Sequence, residues 1–179
     1  GQILRNNIIM EYAFFGSLQD WMLSNGVFRW EFAIRYVTYP FIHLSFMQTL
    51  IATVMFLALG KMVCEIYNGF LFFALIFASS VSGAFFYGLI LNDQFPLIGL
   101  FPAIYGLIGA YTYILWASLR SVGAKSANAF ILVALLLGIQ ILFKFLFNGA
   151  NDWIADLFGF FTGFLFSFLT NLYFLKYSN

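Results

Sequence analysis

Five apolar stretches, each long enough to cross a bilayer, dominate this sequence and restrict what it can fold into. They run over residues 39–60, 69–91, 97–119, 128–147 and 153–175. An α-helix needs about 20 consecutive apolar residues to span the hydrocarbon core of a membrane. We therefore predict about five transmembrane helices, joined by short polar gaps that make neighbouring helices antiparallel.

Composition assigns the chain to the same class. Its 179 residues are 63% hydrophobic and only 8% charged, more apolar surface than a soluble domain of this size can bury. The fold class predicted is an all-α polytopic membrane protein, in contact with membrane lipid. A net charge of +1 without a basic cluster argues against a nucleic-acid partner. One histidine and one cysteine, Cys64, make a metal or haem cofactor improbable, and we expect no cofactor.

The basic residues are distributed unevenly between the gaps. Two alternate gaps and the C-terminal tail carry Lys61, Arg120, Lys125 and Lys176, whereas residues 92–96 and 148–152 contain only acidic charges. Loops rich in Lys and Arg remain on the cytoplasmic side of a membrane, so the sequence predicts a cytoplasmic C-terminus. Three arginines before the first span run against this rule: Arg5, Arg29 and Arg35.

Residues 1–38 have a different character from the rest of the chain. Their longest apolar stretch, residues 8–18, is interrupted by Glu11, so it resembles neither a clean span nor a signal peptide. Aromatic residues alternate there with charges, a pattern typical of the membrane interface. We therefore divide the chain into an interfacial segment, residues 1–38, and a transmembrane domain, residues 39–179.

Residues 96–111 carry a motif of glycines and aromatic residues, PLIGLFPAIYGLIGAY. The motif resembles the fourth membrane helix of rhomboid intramembrane serine proteases, which begins G-x-S-G. Phe101 stands at the position of the nucleophilic serine in that motif. A phenylalanine side chain has neither a lone pair for attack nor a proton to give to a base. Pro102 replaces the glycine that follows the serine, and it removes a backbone N–H that could donate to an oxyanion.

Two further segments extend the resemblance. Residues 35–48, RYVTYPFIHLSFMQ, are similar to the entry into the second rhomboid helix, where His43 takes the position of a family histidine. Active members then have a second histidine and an asparagine that help to hold the oxyanion, and here Gln48 and Ala52 stand in their places. Residues 155–163 are similar to the last-helix motif H-x-x-G-x-x-x-G, which puts Asp156 at the position of the general base.

The resemblance implies a rhomboid-like bundle without the catalytic residues of the family. Its first membrane helix has no counterpart here, and we expect this helix either to precede Gly1 or to be absent. The four departures at Phe101, Pro102, Ala52 and Asp156 imply a pseudoprotease, not an enzyme. By analogy with bacterial members, we expect a bacterial inner membrane location.

Several residues have a structural interpretation beside the functional one. His43 is either a remnant of the oxyanion site or an interfacial histidine bonded to a loop carbonyl, and we favour the second. Lys144 and Asp156 are ionisable residues within spans, and their spacing from one polar turn predicts an ion pair. Lys144 could instead extend to the headgroups. Small residues on the fourth and last spans let helices approach closely, or form a binding face: Gly106, Gly109, Gly159 and Gly163.

The function predicted is binding of other transmembrane proteins, as an accessory subunit or as a client-binding or chaperone factor. One alternative is a structural subunit of a larger membrane complex. A second is a serine protease with a displaced nucleophile, for which the neighbouring hydroxyls are Ser45, Thr49, Ser79, Ser80 and Ser82. A small transporter or channel subunit is a third, but no internal repeat supports it.

Overall fold

The computed structural model describes residues 2–91, 95–147 and 151–177; for residues 2, 143–147 and 172–177 only the backbone is described. Within these ranges the chain forms α-helices, 3-10 helices and no strand, which confirms the all-α prediction. Short 3-10 helices cover Tyr39–Phe41 and Ser126–Phe130. The α-helices are α1 (Gln2–Tyr12), α2 (Gly16–Asn25), α3 (Trp30–Ala33), α4 (Arg35–Thr38), α5 (Phe46–Cys64), α6 (Gly69–Ile90), α7 (Phe101–Ser121), α8 (Ile131–Phe147) and α9 (Trp153–Tyr177).

Four helices in the described part of the chain are long and apolar enough to cross a membrane: α5, α6, α7 and α9. The fifth apolar segment, Ser126–Leu142, is shorter by the same criteria and begins with the 3-10 turn before α8. These helices occupy the five predicted stretches, and integral membrane character follows from their length and composition.

The first of these helices begins at Phe46, so the predicted start at residue 39 was wrong. Pro40 lies in the 3-10 turn, and Ile42 is extended. Ser45 then caps α5, because its hydroxyl accepts a hydrogen bond of 3.1 Å from the backbone N–H of Gln48. The apolar run from Tyr39 to Leu44 therefore belongs to the connection before the helix, and α5 continues past Gly60 to Cys64.

Helices α6, α7 and α9 form the centre of the bundle, and small residues set their spacing. A Cβ added to Gly163 would overlap the backbone of Gly106, and one added to Gly109 would overlap the Phe160 carbonyl. On the other side of α7, Gly106 faces the side chain of Ser79 of α6. Close backbone approach of this kind replaces the hydrophobic drive that lipid cannot supply.

The N-terminal segment, residues 2–45, is anchored at the end of the bundle where α6 ends and α7 begins. Phe14 and Leu97 exchange two backbone hydrogen bonds of 3.2 and 2.8 Å. The Tyr39 hydroxyl donates to the Ser80 carbonyl at 2.8 Å, and the Gln19 amide donates to the Phe85 carbonyl at 3.0 Å. Phe14, Tyr39, Tyr87 and Leu97 form a buried cluster beneath this segment.

Candidate functional site around Phe101

Phe101 is the first residue of α7, at the end of the bundle that the N-terminal segment contacts. The turn before it depends on Gly99, whose φ of +97° is rarely adopted by residues with a side chain. The Gly99 N–H donates to the Tyr39 carbonyl at 3.0 Å, which ties the start of α7 to the entry of α5. Pro102 lies in the first turn of α7, where the absence of an N–H costs no helical hydrogen bond.

The structure brings three of the sequence-predicted positions together at this turn. A Cβ placed on Gly99 would lie 3.3 Å from Nε2 of Gln48 and 3.6 Å from the Phe101 ring. Phe101 also packs, partly buried, against the hydrophobic cluster that contains Ala52 and Tyr105. Phe101, Gln48 and Ala52 thus lie near one another where α5 packs against the start of α7, and we call this region the Phe101 junction.

Gln48 has a local structural use. Its side-chain Oε1 accepts a hydrogen bond of 2.7 Å from the backbone N–H of Leu44. The backbone N–H of Gln48 donates to the hydroxyl of Ser45. Ser45 and Gln48 thereby satisfy backbone donors at the start of α5; the arrangement differs from a capping box in that Gln48 bonds Leu44, one residue before the N-cap. The Nε2 group of Gln48, which carries two N–H donors, lies next to Gly99.

Asp156 lies in the first turns of α9 and is 1% exposed. Its Oδ2 accepts a hydrogen bond of 2.8 Å from Nε2 of Gln140 on α8. Oδ1 of Asp156 and Oε1 of Gln140 are buried and have no hydrogen-bond partner in the described part of the chain. The predicted ion pair with Lys144 involves a side chain outside the described residues, so it stays a prediction.

Gln140 is a site residue that the sequence reasoning missed. A signal was present, because Gln140 is the only uncharged polar side chain in the apolar sequence of α8. An amide in an apolar membrane helix usually bonds another helix, since lipid offers it no partner.

Asp156 also affects Tyr39. Burial raises the pKa of Tyr39 well above its usual range, and the negative charge of the Asp156 carboxylate raises it further.

Pro102 and the glycines of α9 form the contact between the two helices that carry Phe101 and Asp156. A Cβ on Gly159 would overlap the Pro102 carbonyl, and one on Gly83 of α6 would meet both Pro102 and the Ala155 carbonyl. Pro102 and Ala155 are buried there. Pro102, the residue after Phe101, is therefore packed against both α6 and α9.

His43 is not among the residues that pack against the cluster around Phe101 in the described part of the chain. It lines a cavity with residues of α1, and its Nε2 is buried without a hydrogen-bond partner in the described ranges. Four of the five hydroxyls considered as displaced nucleophiles have other contacts. Ser45 caps α5, Thr49 bonds the Ser45 carbonyl, Ser82 bonds Thr162 at 2.6 Å, and Ser79 is buried against Gly106. Among the hydrogen bonds of the described residues, none joins these hydroxyls to His43.

The helical bundle and its apolar surface define an integral membrane protein of the polytopic helical class. A comparison with known protein families matches residues 31–172 to the Rhomboid domain. The chain belongs to the rhomboid family, which confirms the resemblance stated from its motifs. A search of curated proteins found no match.

Proposed function

We propose that this protein is a non-proteolytic rhomboid that binds transmembrane helices of other membrane proteins, as an accessory subunit or a client-binding factor. The observation that carries the proposal is the environment of Phe101. By the family resemblance the aromatic ring stands at the nucleophile position, and it packs, partly buried, against a buried hydrophobic cluster that includes Ala52. An apolar surface at this point suits helix packing better than hydrolysis, which needs water and a nucleophile.

The chemistry of the neighbouring residues supports the loss of proteolysis. Asp156 takes the position at which the resemblance expects the histidine base, so no imidazole is present there to transfer a proton. Its carboxylate instead accepts a hydrogen bond from Gln140. Ala52 offers no donor to an oxyanion, and Pro102 has no N–H. Each change removes a different part of the acyl-transfer machinery, so no single compensation would restore it.

The proposed binding surface comprises exposed apolar side chains of α5 and of α8, and we call it the α5/α8 face. Both helices contribute to the cluster around Phe101, through Met55 and Leu59 on α5 and Val133 and Leu136 on α8. Only 17% of the α5 span is buried within the chain, compared with 61% of α7. The face exposes large side chains: Met47, Leu50, Ile51, Val54, Leu57, Leu132, Leu135, Ile139 and Leu142.

Packing on such a face is the interaction available to a partner within a bilayer. A single apolar helix could lie along α5 or α8 and replace lipid contacts with closer side-chain packing. The occupant proposed is therefore a transmembrane helix of another protein. We further propose that the C-terminus is cytoplasmic, because the ends of α5 and α7 carry Lys61 and Arg120, and that the membrane is the bacterial inner membrane.

Site-specific photo-crosslinking in native membranes tests this proposal. A photoreactive amino acid replaces Leu135 on α8 or Ile51 on α5, and the matched control replaces Phe70, an exposed residue on α6. We expect discrete adducts with membrane proteins from positions 135 and 51 and none from position 70. One adduct at fixed stoichiometry would indicate an accessory subunit, and several substoichiometric adducts would indicate clients. Lipid adducts alone at all three positions would contradict the proposal.

A further inference from the structure

A cavity of about 380 Å³ lies between α1 and the connection that leads into α5. We propose that it binds the phosphate group of an anionic membrane phospholipid, with the first part of an acyl chain against its apolar wall. The cavity is lined by Leu4, Arg5, Ile8, Ile9, Phe41, Ile42 and His43. The proposal is independent of whether the protein binds helices or cleaves them, because no residue of the Phe101 junction takes part.

The polar groups of the cavity are donors suited to an anion. The Arg5 guanidinium carries a permanent charge and can form two parallel hydrogen bonds with phosphate oxygens. Nε2 of His43 is buried and has no hydrogen-bond partner among the described residues. In the tautomer protonated at Nε2, His43 donates one hydrogen bond. The described residues that line the cavity include Arg5 and no carboxylate, so their charge is complementary to phosphate.

The remaining walls select a lipid over a soluble anion. Leu4, Ile8 and Ile9 of α1 face Phe41 and Ile42 across the cavity. A free phosphate would leave these apolar side chains uncovered, whereas the glycerol backbone and first methylenes of a lipid would cover them. The same helix exposes Ile3 and Met10, as a helix lying in the headgroup region does.

The cavity lies at a membrane boundary and its two sides are fixed to each other. His43 precedes the capped start of α5, the first candidate span. The Thr38 hydroxyl donates to the Tyr12 carbonyl at 2.8 Å, and the Arg35 guanidinium donates to the Ala13 carbonyl at 3.1 Å. These bonds hold the end of α1 against the segment that leads to Phe41 and His43.

Native mass spectrometry of the whole protein, with phosphatidylglycerol as the probe, tests the site. Arg5→Gln and His43→Gln are compared with Arg29→Gln, which alters another exposed arginine of the same segment, bonded to Glu31 at 3.4 Å. Because charge-assisted hydrogen bonds are lost, we expect phosphatidylglycerol to bind about tenfold more weakly to each of the first two variants. Arg29→Gln should bind as the parent protein does, and Arg5→Lys should bind more tightly than Arg5→Gln.

Two results would overturn the proposal. If Arg5→Gln retained as much phosphatidylglycerol as Arg29→Gln, Arg5 would take no part in binding this lipid. Arg5 is exposed, so its replacement should not prevent folding. Full competition by inorganic phosphate at millimolar concentration would assign the site to a soluble anion. Circular dichroism of each variant checks that helix content equals that of the parent, and His43→Gln is interpreted only with Arg5→Gln beside it.

Discussion

Gln140 of α8 donates a hydrogen bond of 2.8 Å to the buried carboxylate of Asp156 of α9, and so joins two helices inside the membrane domain. The bond gives Asp156, which the sequence resemblance aligns with the family's general base, a structural contact.

The pair should be measurably coupled. We predict that a double-mutant cycle of Gln140→Leu and Asp156→Asn, measured by unfolding in detergent micelles, gives a coupling free energy of about 0.5–1.5 kcal/mol. Lys144→Met in the same cycle tests the ion pair predicted from the sequence. No coupling between positions 140 and 156 would mean that the hydrogen bond adds nothing to stability.

Packing of α7 on α9 predicts a sharp difference between two glycines. Gly163→Ala should lower the free energy of unfolding by about 1–3 kcal/mol, because the new methyl group would meet the backbone of Gly106. Gly138→Ala on α8 is the matched control, since its Cβ meets nothing within 4 Å. There, alanine should be neutral or stabilise by up to about 1 kcal/mol. Thermal unfolding in one detergent compares the two, and equal effects would refute the close contact.

The turn before Phe101 should also resist substitution. Gly99→Ala places a side chain at a φ of +97°, and we expect a loss of about 1–2 kcal/mol in the free energy of unfolding. Gly69→Ala, at the start of α6, has open space and no positive φ, so it controls for the added methyl group. The opposite order of stabilities in chemical unfolding would argue against this turn.

Tyr36 gives the prediction for pH. Burial raises the pKa of Tyr36 to about 12, and its hydroxyl donates to Oε1 of Gln19 at 2.6 Å. A group with a raised pKa in the folded state contributes stability that is complete below its unfolded pKa of about 10 and is lost as pH rises through 12. Stability should therefore fall between pH 10 and 12, and less steeply in Tyr36→Phe. Parallel pH profiles for parent and variant would contradict this assignment.

The spans were predictable because the length of an apolar run is a property of the sequence alone. The start of α5 was not predictable, because the mostly apolar residues 39–44 continue the apolar run of the span. The 3-10 turn at Pro40 and the N-cap at Ser45 place these residues outside the helix. The proximity of Phe101, Gln48 and Ala52 followed from the family resemblance. Gln140 could not be assigned as the partner of Asp156 because the relative rotation of α8 and α9 is set by packing across the bundle.

The environment of His43 also lay beyond sequence reasoning. Nothing in the residue pattern predicts that α1 lies beside His43, because the two are far apart in the chain. Bonds from Thr38 and Arg35 to the end of α1 bring them together. The expected bond from His43 to a loop carbonyl is not among the hydrogen bonds of the described residues. His43 instead lines a cavity with residues of α1, and such a cavity depends on how distant segments pack.

The central claim is tested most directly by reconstituting the purified protein in lipid vesicles with a fluorescent transmembrane peptide that crosslinks to the α5/α8 face. Binding and cleavage are then followed in the same sample, by energy transfer and by gel, with an active rhomboid protease as the positive control. We predict saturable binding, weakened by Leu135→Trp on α8, and no cleavage product beyond that of empty vesicles. Cleavage within the peptide that scales with protein concentration would contradict the claim.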